Sequence, residues 1–495
     1  GNYRMRLSPD LMLEGQLAYI SDQTWIAAWR EDDYEKALEY QTSLYLDWSP
    51  RNTSLSLLGK SQLNSFLSNG WQLASRPYFV EKLPEIKYAR VGDDLWQTAT
   101  WSSNYSFSRM KLNTTAGSPS TLGIKPQAFA STSETIDIDT LYSDSGYNSE
   151  DIMRFHTRQE VSLPFSGEGW NVSPFIFGRF TGYMNGDVQN YQENQGISSD
   201  LDKYRIMAGG GVRADTKFVR IHNEIQSDIF DINRIRYIIE PNTTLWYGWD
   251  SLPNGAYPIY DQQIEGATGG TAAQVGIRQV LQTQRGGPGN WSSVDFLEVD
   301  LGAVFNDTTD NFQRSDLYDP ANGTYDRYAW VQSPYPQFYR YEPELSQWGT
   351  HGYGSVAWEL SSSFTIAGNG LFAWDDRQVI DFTSGTPEFK TMSGLLRGSI
   401  GLQVTHNPDT SSYIEYRYLG ASDDEILQGG VMYRIGRKYQ TTISPQWDLV
   451  RNEFRAFNTS LLRTFPDFDL SFNLGYDLIQ DETSVGLSLS IPRRG

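Results

Sequence analysis

Residues 481–495 read Asp-Glu-Thr-Ser-Val-Gly-Leu-Ser-Leu-Ser-Ile-Pro-Arg-Arg-Gly. Leu487, Leu489 and Ile491 alternate with Ser488 and Ser490. Successive side chains of a β-strand point to opposite faces, so this stretch reads as a strand with one apolar and one polar face. Alone, the pattern fits any half-buried strand. The preceding chain decides the matter, because it repeats the same grammar. From Leu395 to Ile491, alternating segments of about ten residues follow one another. Only short turns join them, such as Asn407-Pro-Asp, Gly436-Arg-Lys and Phe465-Pro-Asp. A tilted strand of about 9–11 residues crosses a bilayer core, whereas sandwich strands average nearer 5–6.

The alternation runs back through Ala272–Thr283, Ile235–Trp249, Asn171–Met184, Asp151–Leu163 and Thr53–Gln62 to Gly15–Ile20 and Tyr3–Leu13. The pattern predicts an all-β chain: a single large transmembrane antiparallel β-barrel over residues 1–495, integral to a bacterial outer membrane. Aromatic residues make up 14 % of the chain, enough for girdles at two water interfaces. Mean hydropathy is −0.51, and no stretch approaches about 18 apolar residues, which excludes membrane-spanning helices but not strands. Long irregular stretches at Thr114–Glu150, Asp250–Gly270 and Asp307–Tyr353 are expected as loops, residues 307–353 as an extracellular one.

The formal net charge of −20 argues against nucleic acid as a partner. Cysteine is absent, which removes disulfides and thiolate chemistry. His156, His222, His351 and His406 are too far apart for a metal pair, and no Gly-x-Ser-x-Gly elbow occurs. The sequence therefore offers no catalytic residue, metal site or cofactor, and the protein is expected not to be an enzyme. Arg154, His156 and Arg158, like Glu415 and Arg417, recur at intervals of two. Such spacing suits a watery lumen and equally the wet face of a soluble sandwich. Gly209-Gly-Gly211, between two strand-like stretches, reads as a bulge or tight bend.

Several segments resemble the barrel of the lipopolysaccharide-assembly protein LptD family. They are Tyr19-Ile-Ser-Asp22 followed by Asp33-Tyr34, then Leu83-Pro84-Glu85-Ile86-Lys87-Tyr88, Arg236-Tyr-Ile-Ile-Glu240-Pro241, and Tyr257-Pro-Ile-Tyr-Asp261. Their order along the chain carries the likeness. The closing strand is likewise similar to the C-terminal insertion signal of outer-membrane barrels. The family's bridging cysteines and its Gly-x-Asp-Arg segment are not found, and the periplasmic domain that precedes such barrels is not legible in this chain.

The resemblance implies about 26 strands and a translocon that inserts lipopolysaccharide into the outer leaflet through a lateral gate between first and last strands. It implies a plug lipoprotein (LptE-like) in the lumen, a periplasmic lipopolysaccharide-transport bridge, and contact with outer-membrane lipid. The candidate gate comprises Met5, Leu7, Pro9 and Leu11 facing Gly486, Leu487, Leu489 and Ile491. Pro9 would weaken a first-strand ladder by lacking an N–H; alternatively it sits in a turn before that strand. Two other functions fit the same residues: a gated or passive channel for small solutes, and a soluble β-rich carbohydrate-binding protein.

Overall fold

The computed structural model describes residues 1–21, 25–26, 40–64, 78–121, 133–144, 146–147, 149–185, 188–194, 203–252, 255–287, 289–307, 318–319, 324–325, 335–381, 388–478 and 481–490. Ile491 and Asp33-Tyr34 lie outside them. The strands in chain order begin with β1 (Asn2–Ser8), β2 (Leu11–Gln16), β3 (Thr42–Trp48), β4 (Thr53–Ser61), β5 (Tyr78–Leu95), β6 (Ala99–Thr114), β7 (Ile152–Ser162) and β8 (Phe165–Gly167). They continue with β9 (Trp170–Met184), β10 (Tyr204–Thr216), β11 (Phe218–Ser227), β12 (Ile232–Asp250), β13 (Gly270–Arg285), β14 (Ser292–Asp307), and the small pair β15 (Tyr318–Asp319) and β16 (Thr324–Tyr325). The last nine are β17 (His351–Glu359), β18 (Phe364–Asp381), β19 (Glu388–Asn407), β20 (Thr410–Leu419), β21 (Asp424–Ile435), β22 (Tyr439–Asp448), β23 (Glu453–Thr464), β24 (Asp469–Asp477) and β25 (Glu482–Ser490). Two helices, α1 (Ile138–Asp144) and α2 (Val188–Asn194), lie in connections.

All strands except β15 and β16 belong to one 23-stranded antiparallel sheet, close to the size expected. Neighbours in sequence are neighbours in space, so the sheet is a meander. β8 continues β7 and β11 continues β10 across short breaks, giving 23 − 2 = 21 crossings. An odd count of antiparallel crossings makes β1 and β25 run in the same direction. No ladder joins these two strands among the described residues. All the long connections fall at one end of the strands, and the connections at the other end are short, the asymmetry of a membrane barrel. The C-terminal turns at the loop end are tight because Asp423, Asn452 and Asp481 take positive φ, which Asn and Asp tolerate.

Prolines accompany some of the irregularities. Pro241 cannot donate to the ladder, and it stands opposite the break between β10 and β11, where pairing stops at Asp215–Asn242 and resumes at Phe218–Ile239. At Leu83-Pro84 the ladders of β5 with β4 and β6 slip between Lys82 and Glu85. A bulge changes which face the following residues occupy. Lys82 and Glu85, three apart, therefore both turn inward and pair at 2.6 Å. Pro9 lies in the turn between β1 and β2, and Leu11 belongs to β2, where it pairs with Trp48 of β3. The expected first strand Tyr3–Leu13 is thus a hairpin. Gly209–Gly211 makes no bulge either: its ladders on both sides run without a shift.

The sheet is two-faced. Leu245, Val275, Leu301, Ile400 and Val431 alternate along their strands on one side and are exposed. Toward the loop end this apolar band is bordered by exposed Tyr204, Trp249, Phe305 and Trp374, and toward the turn end by Trp48, Trp170, Phe364 and Tyr433. A soluble sandwich would bury such residues; a lipid-facing wall exposes them between aromatic belts. Arginine at Leu301 should therefore cost about 2–4 kcal/mol of folding into lipid vesicles. Arginine at Asn369, on the opposite face, should cost little. Urea titration in vesicles of both variants checks this, and equal losses would reject the assigned faces.

Candidate functional site: an arginine ladder inside the barrel

The inward face of three neighbouring strands carries arginines at alternate positions: Arg154 and Arg158 on β7, Arg179 on β9, and Arg205 and Arg213 on β10. All are buried. Five guanidiniums on adjoining strands would repel one another without acids between them. Most of those acids come from elsewhere in the chain. The β12–β13 connection (residues 251–269) bends inward and brings Asp261 and Glu265. Arg154 Nη1 and the Tyr183 hydroxyl donate to Glu265 Oε1 at 2.6 and 2.7 Å. Lys82 Nζ donates to Asp261 at 3.2 Å. Arg205 donates to the Glu265 carbonyl at 3.0 Å and pairs with Asp250.

Residues 335–350 bring the third acid. Arg158 Nε and Arg179 Nη1 donate to Glu344 Oε1 at 2.6 and 3.2 Å. Arg213 donates to the carbonyls of Arg340 and Tyr341 through Nε and Nη2, and its Nη1 pairs with Glu160 at 2.7 Å. The two inward segments also hold each other. Thr268 N donates to the Glu344 carbonyl at 2.8 Å, and Trp348 Nε1 to Thr268 Oγ1 at 2.6 Å. Trp348 stacks on Trp246 at 5.2 Å, in a patch with Phe175 and Phe177. Gly209 and Gly211 face this patch, where a Cβ would meet the Tyr247 and Leu245 carbonyls and the Phe177 and Phe175 rings. Close approach explains the glycine run.

Tyr335 lies over Arg397 of β19, while Glu344 binds Arg158 of β7. Those strands are eight ladder steps apart, about 38 Å along a flat sheet. The segment between folds back through the Gln337–Gln347 bridge, so the sheet has to curve around it. Above the ladder, Tyr78, Tyr142, Tyr147, Tyr191, Tyr257 and Tyr260 form an apolar cap with α1 and α2. Below it opens a polar cleft of about 470 Å³, where Glu240 pairs with Lys217 (2.8 Å) and Arg278 (3.1 Å).

Burial alone would raise the pKa of the loop carboxyls. Lys82, Lys87 and Arg154 overcome it at Asp261, and Arg158 and Arg179 at Glu344, so both lie below the usual carboxylate range. Lowered folded-state values mean that the stabilisation is present above the unfolded-state pKa of about 4 and lost as pH falls through the folded one. Both loops stay charged at neutral pH.

Arg154, His156 and Arg158 share one face, as their spacing suggested, and the structure turns that face inward, where all three are buried. Of Leu83, Pro84 and Glu85, Glu85 reaches the same place, accepting from Lys82 and Ser108 beside Asp261, whereas Leu83 and Pro84 are exposed. Glu240 and Pro241 line the cleft below. Two segments linked in the sequence only by a resemblance meet where Lys87, of Leu83–Tyr88, pairs with Asp261, of Tyr257–Asp261, at 3.6 Å. The 335–350 part of the loop folds toward the ladder, because its Glu344 carboxylate neutralises Arg158 and Arg179 and its carbonyls accept from Arg213. Of the candidate gate, Met5 and Leu7 lie on β1 and Gly486, Leu487 and Leu489 on β25, at opposite edges of the sheet, whereas Pro9 and Leu11 belong to the hairpin turn and β2. Sequence reading passed over Arg179, Arg205, Arg213 and Glu344. The arginines carried a usable signal, odd-numbered charges on amphipathic strands; Glu344 carried none. A Ser–His contact occurs at His406 Nε2–Ser412 Oγ, 2.8 Å apart, on exposed residues.

An apolar belt outside and buried ion pairs inside a curved antiparallel sheet admit one environment. The chain is an outer-membrane β-barrel. No protein-family model and no curated protein matches its sequence. Among solved structures it is similar to the copper transporter OprC, at 9 % identity over 96 % of this chain and 70 % of that one, with a TM-score of 0.38. It is also similar to the ferric enterobactin receptor of Pseudomonas aeruginosa, at 9 % identity over 99 % and 71 %, with a TM-score of 0.36. The KdgM porin matches 45 % of this chain and 92 % of its own at 9 % identity, with a TM-score of 0.19. The fold assignment rests on the chain's own strand register and two-faced sheet.

Proposed function

We propose that this barrel is a translocon that inserts lipopolysaccharide into the outer leaflet, its sugars passing the lumen and its acyl chains leaving between β1 and β25. The observation that carries the reading is the pair of sheet edges. β1 and β25 are the two ends of a 21-crossing meander, run in the same direction, and share no ladder among the described residues. A junction between them is therefore parallel, slightly less stable per residue than the other seams. Leu7, Leu487 and Leu489 expose apolar side chains there. An amphiphile needs this combination, because each CH₂ left in water costs about 0.8 kcal/mol.

The partners follow from the free surfaces. The loops fill the lumen along β5–β19. Among the described residues, the inward polar residues of β20–β25, such as Glu415, Gln428, Gln446, Asn458 and Asn473, have no loop side chain packed over them. A plug lipoprotein would seat on that wall, and a periplasmic bridge would dock at the short-turn rim.

Leu7→Cys combined with Leu487→Cys or Leu489→Cys tests the reading, free of native thiols. Oxidation should close the seam and stop lipopolysaccharide from reaching the cell surface, and reduction should restore delivery. Undiminished delivery through a fully cross-linked seam would reject lateral release and favour a gated channel for small solutes.

A further inference from the structure

We infer that the arginine ladder is a binding site for phosphate-type oxyanions, and that Asp261, Glu265 and Glu344 are internal surrogates for that ligand which a phosphorylated molecule displaces. This rests on the reading of the lumen as a conduit. The ladder sits on a scaffold: its five guanidiniums lie on three paired strands, whereas all three surrogate acids reach their cations across more than a hundred residues from the connections between strands.

The fit of the surrogates is incomplete. Arg154 is fully buried, yet its Nε and Nη2 lack hydrogen-bond partners, although Glu85 and Asp261 oxygens stand 3.8 Å from Nη2. Glu344 Oε2 is buried and unpaired as well, while its Oε1 takes both arginines. A guanidinium offers five donors in a fork, and a carboxylate has only two oxygens to answer several forks. A phosphate monoester or pyrophosphate brings three or more anionic oxygens and matches arginine forks bidentately. The loops lie between the tyrosine cap and the polar cleft. Releasing their acids would unblock the lumen at the level where a phosphorylated headgroup would pass.

The test reads loop release directly. Ser346→Cys and Ala256→Cys each place a buried thiol in one of the two loops, with little change of volume. Each full-length variant, in phosphatidylcholine nanodiscs, is labelled with a maleimide. Tripolyphosphate should speed labelling of both about tenfold relative to sodium chloride of equal ionic strength, a shift of about 1.4 kcal/mol in the closed-to-released balance. Nanodiscs doped with phosphatidic acid form the second arm. A response there as well assigns a lipid headgroup as source, and a response to tripolyphosphate alone assigns a soluble one. Adding Glu344→Gln to Ser346→Cys should raise the unliganded rate by a similar factor.

Labelling no faster with either phosphate source than with chloride overturns the site, and an unchanged rate with Glu344→Gln overturns the surrogate role. The assay involves no transport. A cross-linked seam that still delivers lipopolysaccharide would overturn the proposed function and leave these rates as they are.

Discussion

Replacing Arg154 with methionine should destabilise the barrel by about 3–5 kcal/mol, the cost of leaving a buried counter-charge unpaired. Arg154 is fully buried. Its loss strips Glu265 of a 2.6 Å partner and leaves Asp261 and Glu85 with one fewer cation. The β12–β13 connection should come off the wall, since Glu265 also orients Asp261 through the Asp261 N–H at 2.6 Å. A second change tells pairing from packing. Glu265→Gln in the Arg154→Met background removes the stranded charge, so the double variant should regain a large part of the loss. Reversible urea unfolding in detergent, followed by tryptophan fluorescence, measures all three. Strictly additive losses would show that the pair is no functional unit.

Alanine at Gly211 should be more damaging still, with little or no folded, heat-modifiable barrel recovered. A Cβ there would sit 2.1 Å from the Leu245 carbonyl oxygen and 3.0 Å from the Phe175 ring. Backbone of a paired strand cannot retreat by that much without breaking the β10–β12 ladder, and overpacking commonly costs about 1–3 kcal/mol even where neighbours can yield. Gly370→Ala is the matched control, because its Cβ would make ordinary contacts with Leu395 Cδ1 at 3.8 Å and the Arg397 carbonyl oxygen at 4.0 Å. Refolding yield by unheated gel mobility separates the two. Equal yields would show that the glycine run does not hold β10 against β12.

What the sequence determined by itself is what a period of two can encode. Alternation is local, so the strands of residues 395–490, the short turns between them, and the shared face of Arg154, His156 and Arg158 are legible from neighbours alone. The absence of any long apolar run removes helical spans on the same local ground.

Tertiary structure decided whatever depends on residues far apart. Arg158 and Glu344 are 186 positions apart, and nothing near either one says that they meet. The inward fold of residues 251–269 and 335–350 follows from charge neutrality across the lumen, a property of the assembled sheet and not of either loop. Local pattern also fails where the ladder slips. Lys82 and Glu85 have opposite parity in the sequence and share a face only because Leu83-Pro84 bulges. Pro9 shows the same limit at its smallest scale: alternation continues through Tyr3–Leu13, and only the pairing of β1 with β2 places a turn within it.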